Sequence, residues 1–500
     1  MSDRHLLLLT YHFPPSAASG TYRLLGFARH LRRYGWRTSV IAPPSLPWEP
    51  VDESLLEQVP DDVAVHSVPY PRSRVSKLAR RMARFGVWLP GALRKLRRVV
   101  AHSKPDAVLT SGPPHCVHAL GSYAKGSFGL PWAADFRDPW VVGDPQESWR
   151  SLRVWCARRW EQKFLHHADL VVSNAPRARA MLQSAYPEFA EKLVTITNGF
   201  DPDAFPKRLP QAADRSEISI VHAGEIYFGR DPRPFLDALS LLSNANDANG
   251  RVLRMRFLGR ATEGGVNLEE EIRSRGLSGT CTVEGQMSYD VSRRIMAAAD
   301  ILLLLDSPGR KVGVPAKLYE YLGAGAAILA LTEEDGDAAW VLRQSGLTHR
   351  IVAPLQPDRI HLALKELVDC VRTQERQEPS AYRTATFTRA ETARDLAGHL
   401  DGSQKVLLRA RRISQRREHA FGKAAPDARA LDAGVPFAQS RVEFALDLSR
   451  AGFDDFVIRR AKPPDVLEGE AVVAHRAAHE QFIFGENVYL GGESPPVIRM

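Results

Sequence analysis

Short apolar runs alternate with longer segments of helical periodicity along most of the chain. Leu6, Leu7, Leu8 and Leu9 form four consecutive apolar positions, so residues 5–10 read as a strand buried on both faces. Residues 20–34 then read as a helix, 38–41 and 63–68 as strands, and 75–100 as a helical stretch interrupted near Gly86 and Pro90. Strands follow at 107–110, 132–135, 170–173 and 193–196, with helices at 118–125, 149–165 and 176–185 between them. Strands joined by helix-length connections imply parallel βαβ units, because a parallel return needs a crossover of about a dozen residues.

A polar stretch rich in Pro and Asp, 201–216, breaks this rhythm and reads as a linker. A second array then begins, with strands at 218–222, 254–258, 281–283, 301–305 and 327–331. Helices fall near 232–242, 268–275, 288–298, 316–322 and 337–344, and closing helices at 360–373 and 389–400. The expected fold class is therefore α/β, with two doubly wound, Rossmann-like parallel-sheet domains that face a cleft. Residues 1–205 would form the front domain, 206–385 the rear domain and 386–400 a closing helix. Residues 401–500 lose the alternation and read as a basic region, either partly disordered or a small appendage. In such folds ligands bind at the carboxyl ends of the strands, here in the cleft between the domains.

Composition leaves this picture intact. At 500 residues, with 44% hydrophobic, 25% charged and 8% aromatic residues, the chain has the globular mixture. No run reaches the 18 or so apolar residues of a membrane span, and mean hydropathy is −0.26. The Leu6 to Leu9 run is too short for a signal-peptide core, so the fold is expected to start almost at once. Cys116, Cys156, Cys281 and Cys370 lie far apart with no Cys/His cluster, as expected of reduced cytosolic thiols rather than of disulfides or structural zinc. Lys plus Arg exceeds Asp plus Glu by 67 to 58, a balance that makes an anionic partner plausible without naming one.

Candidate chemistry gathers at strand ends. The first connection, YHFPPSAASGTYR from Tyr11 to Arg23, sets small residues such as Gly20 between a strand and a helix, where backbone N–H groups and the helix dipole favour an anion. A ligand-free βα turn is the competing reading. In DFRDPW, Asp135, Arg137 and Asp138 crowd after a strand; Arg137 is expected to hold an anionic group and Asp138 to accept a hydroxyl, against an internal Asp–Arg pair that merely fixes the loop. In the second array HAGEIYFGR brings Gly224 and Arg230 to a place that suits a diphosphate. GVPAKLYEYLGAG, from Gly313 to Gly325, opens a helix near Pro315 with Lys317 and Glu320 three apart on one face, where a surface ion pair is the plain alternative.

These motifs, with NGFD at Asn198 to Asp201, resemble in order and spacing the retaining glycosyltransferases of family four, over about residues 5 to 400. The resemblance implies the GT-B architecture and a nucleotide-diphosphate sugar as donor substrate, with no cofactor and no metal. Arg230 would stand where a phosphate-binding Lys is usual, with Lys317 as second phosphate ligand. Glu320 matches the second glutamate of the E-x7-E pattern and would accept from the ribose. Gly20 and Gly224 would let backbone amides approach the donor, and Arg137 and Asp138 would border the acceptor. The sequence departs from the pattern where Val312 replaces the first glutamate and Glu225 the usual Arg; backbone amides around Gly313 are then expected to hold the sugar.

Residues 72–104 carry Arg72, Arg74, Lys77, Arg80, Arg81, Arg84, Arg94, Lys95, Arg97, Arg98 and Lys104 with no acid, interleaved with Val75, Leu78, Met82, Phe85, Trp88, Leu89, Leu93 and Leu96. That composition suits a helix lying in an anionic inner-leaflet interface, each basic residue contributing about 1 kcal/mol, and favours a lipid-linked or glycan acceptor on a cytoplasmic, peripherally bound enzyme. An ordinary amphipathic helix with a solvated basic face is the alternative. Nucleic acid is not expected, since no binding motif accompanies the stripe. Against a glycosyltransferase of cell-surface polysaccharide or glycolipid assembly stand two rivals: a nucleotide-sugar epimerase or hydrolase on the same fold, and a non-catalytic assembly subunit.

Overall fold

A computed structural model of the chain describes residues 4–45, 50–70, 86–142, 152–206, 217–226, 229–244, 252–259, 267–285, 287–373 and 383–402. The apolar runs become two parallel sheets. Strands β1 (Arg4–Thr10), β2 (Trp36–Ala42), β3 (Ala64–Ser67), β4 (Ala107–Ser111), β5 (Trp132–Arg137), β6 (Leu170–Ser173) and β7 (Leu193–Thr195) form the front sheet in the order β3-β2-β1-β4-β5-β6-β7. The rear sheet contains β8 (Glu217–Ala223), β9 (Val252–Leu258), β10 (Cys281–Glu284), β11 (Ile301–Leu305), β12 (Ala327–Leu331) and β13 (His349–Val352) in the order β10-β9-β8-β11-β12-β13. Every pairing within these sheets is parallel. Strand order reverses beside β1 and beside β8, the switch points at which open α/β sheets form ligand crevices.

Central strands are apolar on both faces because helices cover both. Leu6 and Leu8 pack on one side of the front sheet, Leu7 and Leu9 on the other, and all four are fully buried. The edge strand β13 escaped the sequence reading because His-Arg-Ile-Val lacks a continuous apolar run. The chain then returns to the front lobe. Helical residues 389–402 insert Ala393, Leu396, Ala397 and Leu400 beside Leu6, Leu8 and Trp36, and Asp401 pairs with Arg4 and accepts from the Trp36 indole at 3.0 Å. The two lobes also share one apolar cluster, in which Ala175, Ala178, Phe200 and Phe387 pack with Val314, Tyr319 and Leu322. The chain passes from the front sheet to the rear one between β7 and β8.

Pro90 does not interrupt a helix; it lies in the first turn of one, Leu89–Ser103, where its missing N–H costs nothing. That helix corrects the interfacial reading of its own apolar face. Trp88, Ala92, Leu96 and Val99 are buried in the front-lobe core, and Leu89, Leu93 and Val100 pack against it partly buried, so most of this apolar face is already occupied. Arg94, Arg97, Arg98 and Lys104 remain exposed, while residues 72–85 and the appendage from 403 onward lie outside the described residues. Among the described residues no helix is long and apolar enough to cross a membrane.

Candidate functional site

The rear wall of the crevice is built where β8 ends. Gly224 adopts φ +152, and a Cβ on the facing Gly259 would stand 2.2 Å from the Gly224 carbonyl, so the two strand ends meet here only because Gly259 carries no side chain. Lys317 borders that gap, its Cγ lying 3.7 Å from where a Cβ on Gly224 would be. It projects from the helix Ala316–Ala324, whose start just after Pro315 puts Lys317 and Glu320 on one face. Lys317 Nζ donates to Glu320 Oε2 at 2.7 Å, and the Tyr289 hydroxyl donates to Glu320 Oε1 at 2.8 Å. This is more than a surface ion pair: the Glu320 side chain is only 14% exposed and faces the other lobe.

Tyr289, at the start of the helix Tyr289–Ala298, stacks on Tyr22 of the front lobe with ring centroids 5.5 Å apart. The Arg293 guanidinium lies 3.7 Å from the Tyr289 ring centroid, and Arg389 covers Tyr22 at 5.7 Å. Burial first, then the Glu320 and Asp52 charges, pushes the Tyr22 hydroxyl up to about 12, so both tyrosines stay protonated donors at neutral pH. Arg230 lies close enough for its charge, with that of Lys317, to act on the buried His222 ring at the end of β8. Gly224, Arg230, Lys317 and Glu320, expected together, are therefore gathered around one strand end. Val312 lies partly buried in the shared apolar cluster, with no carboxylate in its place.

The front wall distributes its expected residues differently. Asp135 is a fully buried partner of Arg23, which binds it with Nε at 2.9 Å and Nη2 at 3.1 Å; Ser111 donates to the same carboxylate. Arg23 also holds the carbonyls of Ile196 and Thr197, tying the start of NGFD to β5. Arg137, expected to border the acceptor, is buried instead and donates to the carbonyls of Gly112 and Pro113. It does so from φ +51, an unusual conformation for a residue with a Cβ, held by those bonds. Gly20 leaves room for this guanidinium: a Cβ there would lie 1.9 Å from Arg137 Nη1.

Asp138 stays exposed in the crevice. Asn174 donates to its Oδ1 at 3.2 Å, and that oxygen lies 3.9 Å from where a Cβ on Gly313 would be. Gly313 thus lies beside Asp138, and its N–H is taken, donating to Asp337 Oδ2 at 2.9 Å. Asp337 also accepts from the Arg177 amide of the front lobe at 2.9 Å, so one buried carboxylate joins the Gly313 loop to the first turn of the helix Pro176–Ala185. Desolvation raises the Asp337 pKa, while the two amides act against it. Sequence reasoning missed Tyr22, His222, Tyr289, Arg293 and Asp337. The first two lie inside quoted motifs, but the others carry no spacing signal, because their partners belong to the opposite lobe or to distant elements.

Among the described residues no group of three or more His, Cys, Asp or Glu side chains is arranged to hold a metal ion. Residues 20–199 match the family described as a glycosyl transferase 4-like domain. No curated protein matches the chain. HepE from Anabaena, solved in complex with UDP, superposes with a TM-score of 0.51 at 17% identity, covering 83% of this chain and 100% of its own. The lipopolysaccharide outer core galactosyltransferase WaaB gives 0.53 at 11% identity over 80% of this chain and 99% of its own. The catalytic domain of starch synthase IV from Arabidopsis thaliana, bound to ADP and acarbose, gives 0.55 at 11% over 81% and 100%. The chain thus has the GT-B fold, and residues 20–199 of its front lobe are similar to a glycosyl transferase 4-like domain.

Proposed function

We propose that this protein is a glycosyltransferase that moves a sugar from a nucleotide-diphosphate sugar to a glycan or lipid-linked acceptor. The observation that carries the reading is the convergence of Arg230, Lys317 and Glu320 at the end of β8, opposite Tyr22 and Asp138 of the front lobe. A diphosphate seated at Gly224 would lie between two cations, which stabilise the negative charge that grows on the leaving group without any metal being required. Glu320 has two donors already, and a carboxylate offers about four acceptor positions, so two vicinal ribose hydroxyls fit beside Tyr289 and Lys317. Asp138 is the exposed carboxylate placed to accept from the acceptor or the transferred sugar.

HepE with UDP and starch synthase IV with ADP support a nucleoside-diphosphate donor, and WaaB supports an acceptor in cell-surface glycolipid assembly. Retention of configuration, a hexosyl donor and membership of family four follow from the motif resemblance alone. Inner-leaflet docking rests on the exposed Arg94, Arg97, Arg98 and Lys104 as charges, not on apolar insertion of the helix Leu89–Ser103. The test is a thermal-shift panel of nucleoside diphosphates and nucleotide sugars, because a ligand selective for the folded state must raise its melting temperature. At least one should do so, and Arg230→Ala and Glu320→Ala should each abolish most of that rise. Normal shifts in both variants would remove the donor-site assignment.

A further inference from the structure

His222 closes the rear wall at the end of β8 and is only 4% exposed. Its Nδ1 lies 2.9 Å from the carbonyl of Leu303 on β11; a carbonyl can only accept, so the neutral ring carries its hydrogen on Nδ1. The Tyr321 hydroxyl donates to the same carbonyl at 3.0 Å and accepts from the Ala223 amide at 2.9 Å, which fixes the ring's anchor. Nε2 therefore presents a bare lone pair. It is buried and has no hydrogen-bond partner among the described residues; the Gly224 carbonyl lies near the ring without forming a well-aligned bond to it.

That lone pair opens on the space left by Gly224: Nε2 is 3.9 Å from where a Cβ would stand, as Lys317 Cγ is at 3.7 Å. The charged groups acting on the ring are Arg230, from the loop after β8, and Lys317, from the helix Ala316–Ala324; from β9 the uncharged Phe257 ring packs beside it. Burial first, then those two cations, lower the ring's pKa to about 4, so it is neutral in the empty site. A diphosphate drawn to Arg230 and Lys317 reverses this balance. It cancels the two positive charges and sets anionic oxygens against the lone pair, a repulsion that one proton on Nε2 converts into a charge-assisted hydrogen bond.

We propose that His222 is a donor-binding residue that takes one proton from solvent when a nucleoside diphosphate binds and donates it, through Nε2–H, to a phosphate oxygen. The proposal rests on the reading of this crevice as a nucleotide-sugar site. No covalent bond forms or breaks; the proton comes from buffer and returns to it on release.

Titration calorimetry of the full chain tests it, using whichever of UDP, GDP, ADP, CDP and dTDP most raises the melting temperature. The titration is run at about pH 7 in two buffers of different ionisation enthalpy. A terminal phosphate has a pKa near 6, and between two cations it falls, so the ligand itself can only release protons. Net uptake on binding must then come from the protein. The expected result is net uptake, with affinity falling up to about tenfold per pH unit as pH rises from the free-ring pKa toward the bound-state pKa, and levelling off above it. His222→Gln, which can donate but not titrate, should lose the uptake and flatten the pH profile, and His222→Asn serves as a second variant. Binding by the wild type without uptake overturns the proposal by itself, as does undiminished uptake in a folded variant. If no diphosphate raises the melting temperature, the nucleotide-sugar reading fails, and this proposal with it.

Discussion

At the scale of single residues, burial decides which charged groups are chemistry and which are scaffold. Asp135 and Arg137 sit one residue apart in DFRDPW beside Asp138, yet only Asp138 faces open solvent; the other two are buried and bonded inside the front lobe. Gly20→Ala should test the scaffold role of Arg137. The new methyl would displace a guanidinium that holds two carbonyls, and leaving such groups unsatisfied costs about 1–3 kcal/mol, readable as a lowered midpoint in denaturant. An unchanged midpoint would show that Arg137 rearranges freely. His118 gives a pH signature. Burial first, then Arg137, lowers its pKa from 6.5 to about 3. Its folded-state pKa lies below its unfolded value, so its contribution to stability is complete above pH 6.5 and is lost as pH falls toward 3. The loss should run at about 1.4 kcal/mol per pH unit for this ring. His118→Gln should show a correspondingly shallower decline on acidification, measured by urea unfolding at several pH values.

At the scale of elements, helix-to-sheet contact in the front lobe depends on small residues at fixed points. The helix His118–Phe128 approaches β5 so closely that a Cβ on Gly121 would lie 2.1 Å from the Trp132 indole nitrogen and 2.3 Å from its ring. Trp132 is buried, and its indole N–H donates to Thr110 at 2.7 Å, so the ring has nowhere to move. Gly121→Ala is therefore expected to destabilise by the overpacking range of about 1–3 kcal/mol or more, despite the better helix propensity of alanine. A gain in thermal stability would contradict this packing. The helix Leu89–Ser103 teaches a related lesson. Its acid-free sequence suits a membrane face, but the spacing of Trp88, Ala92, Leu96 and Val99 is that of any helix laid on a sheet, and periodicity alone does not say which apolar phase it meets.

At the scale of the whole molecule, a few buried carboxylates hold the lobes and the closing helix in register. Asp201, the last residue of NGFD, accepts from Arg29 at 2.9 Å, His30 at 2.8 Å and Arg389 at 2.6 Å. Burial alone would raise its pKa, but His30, Arg389 and Arg29 outweigh it and hold the carboxyl well below the usual range. Asp201→Ala leaves these bases facing one another in a buried place and should cost about 3–5 kcal/mol, seen as a large drop in melting temperature. A drop no greater than that of an exposed substitution would show that the crossover is held by other contacts.

The sequence by itself determined the two parallel arrays, since continuous apolar strands between amphipathic helices admit few other ways to bury both sheet faces, and it placed Gly224, Arg230, Lys317 and Glu320 near one strand end. It did not determine the edge strand β13, whose half-buried positions lack an apolar run, nor the roles of Arg137 and Gly20, which follow from a guanidinium folding back over a glycine. Only the tertiary structure brought Tyr22 to Tyr289, Asp138 to Gly313 and Arg177 to Asp337. Those pairs join residues more than a hundred positions apart, and periodicity reports which face of an element is buried but not which distant surface it will meet.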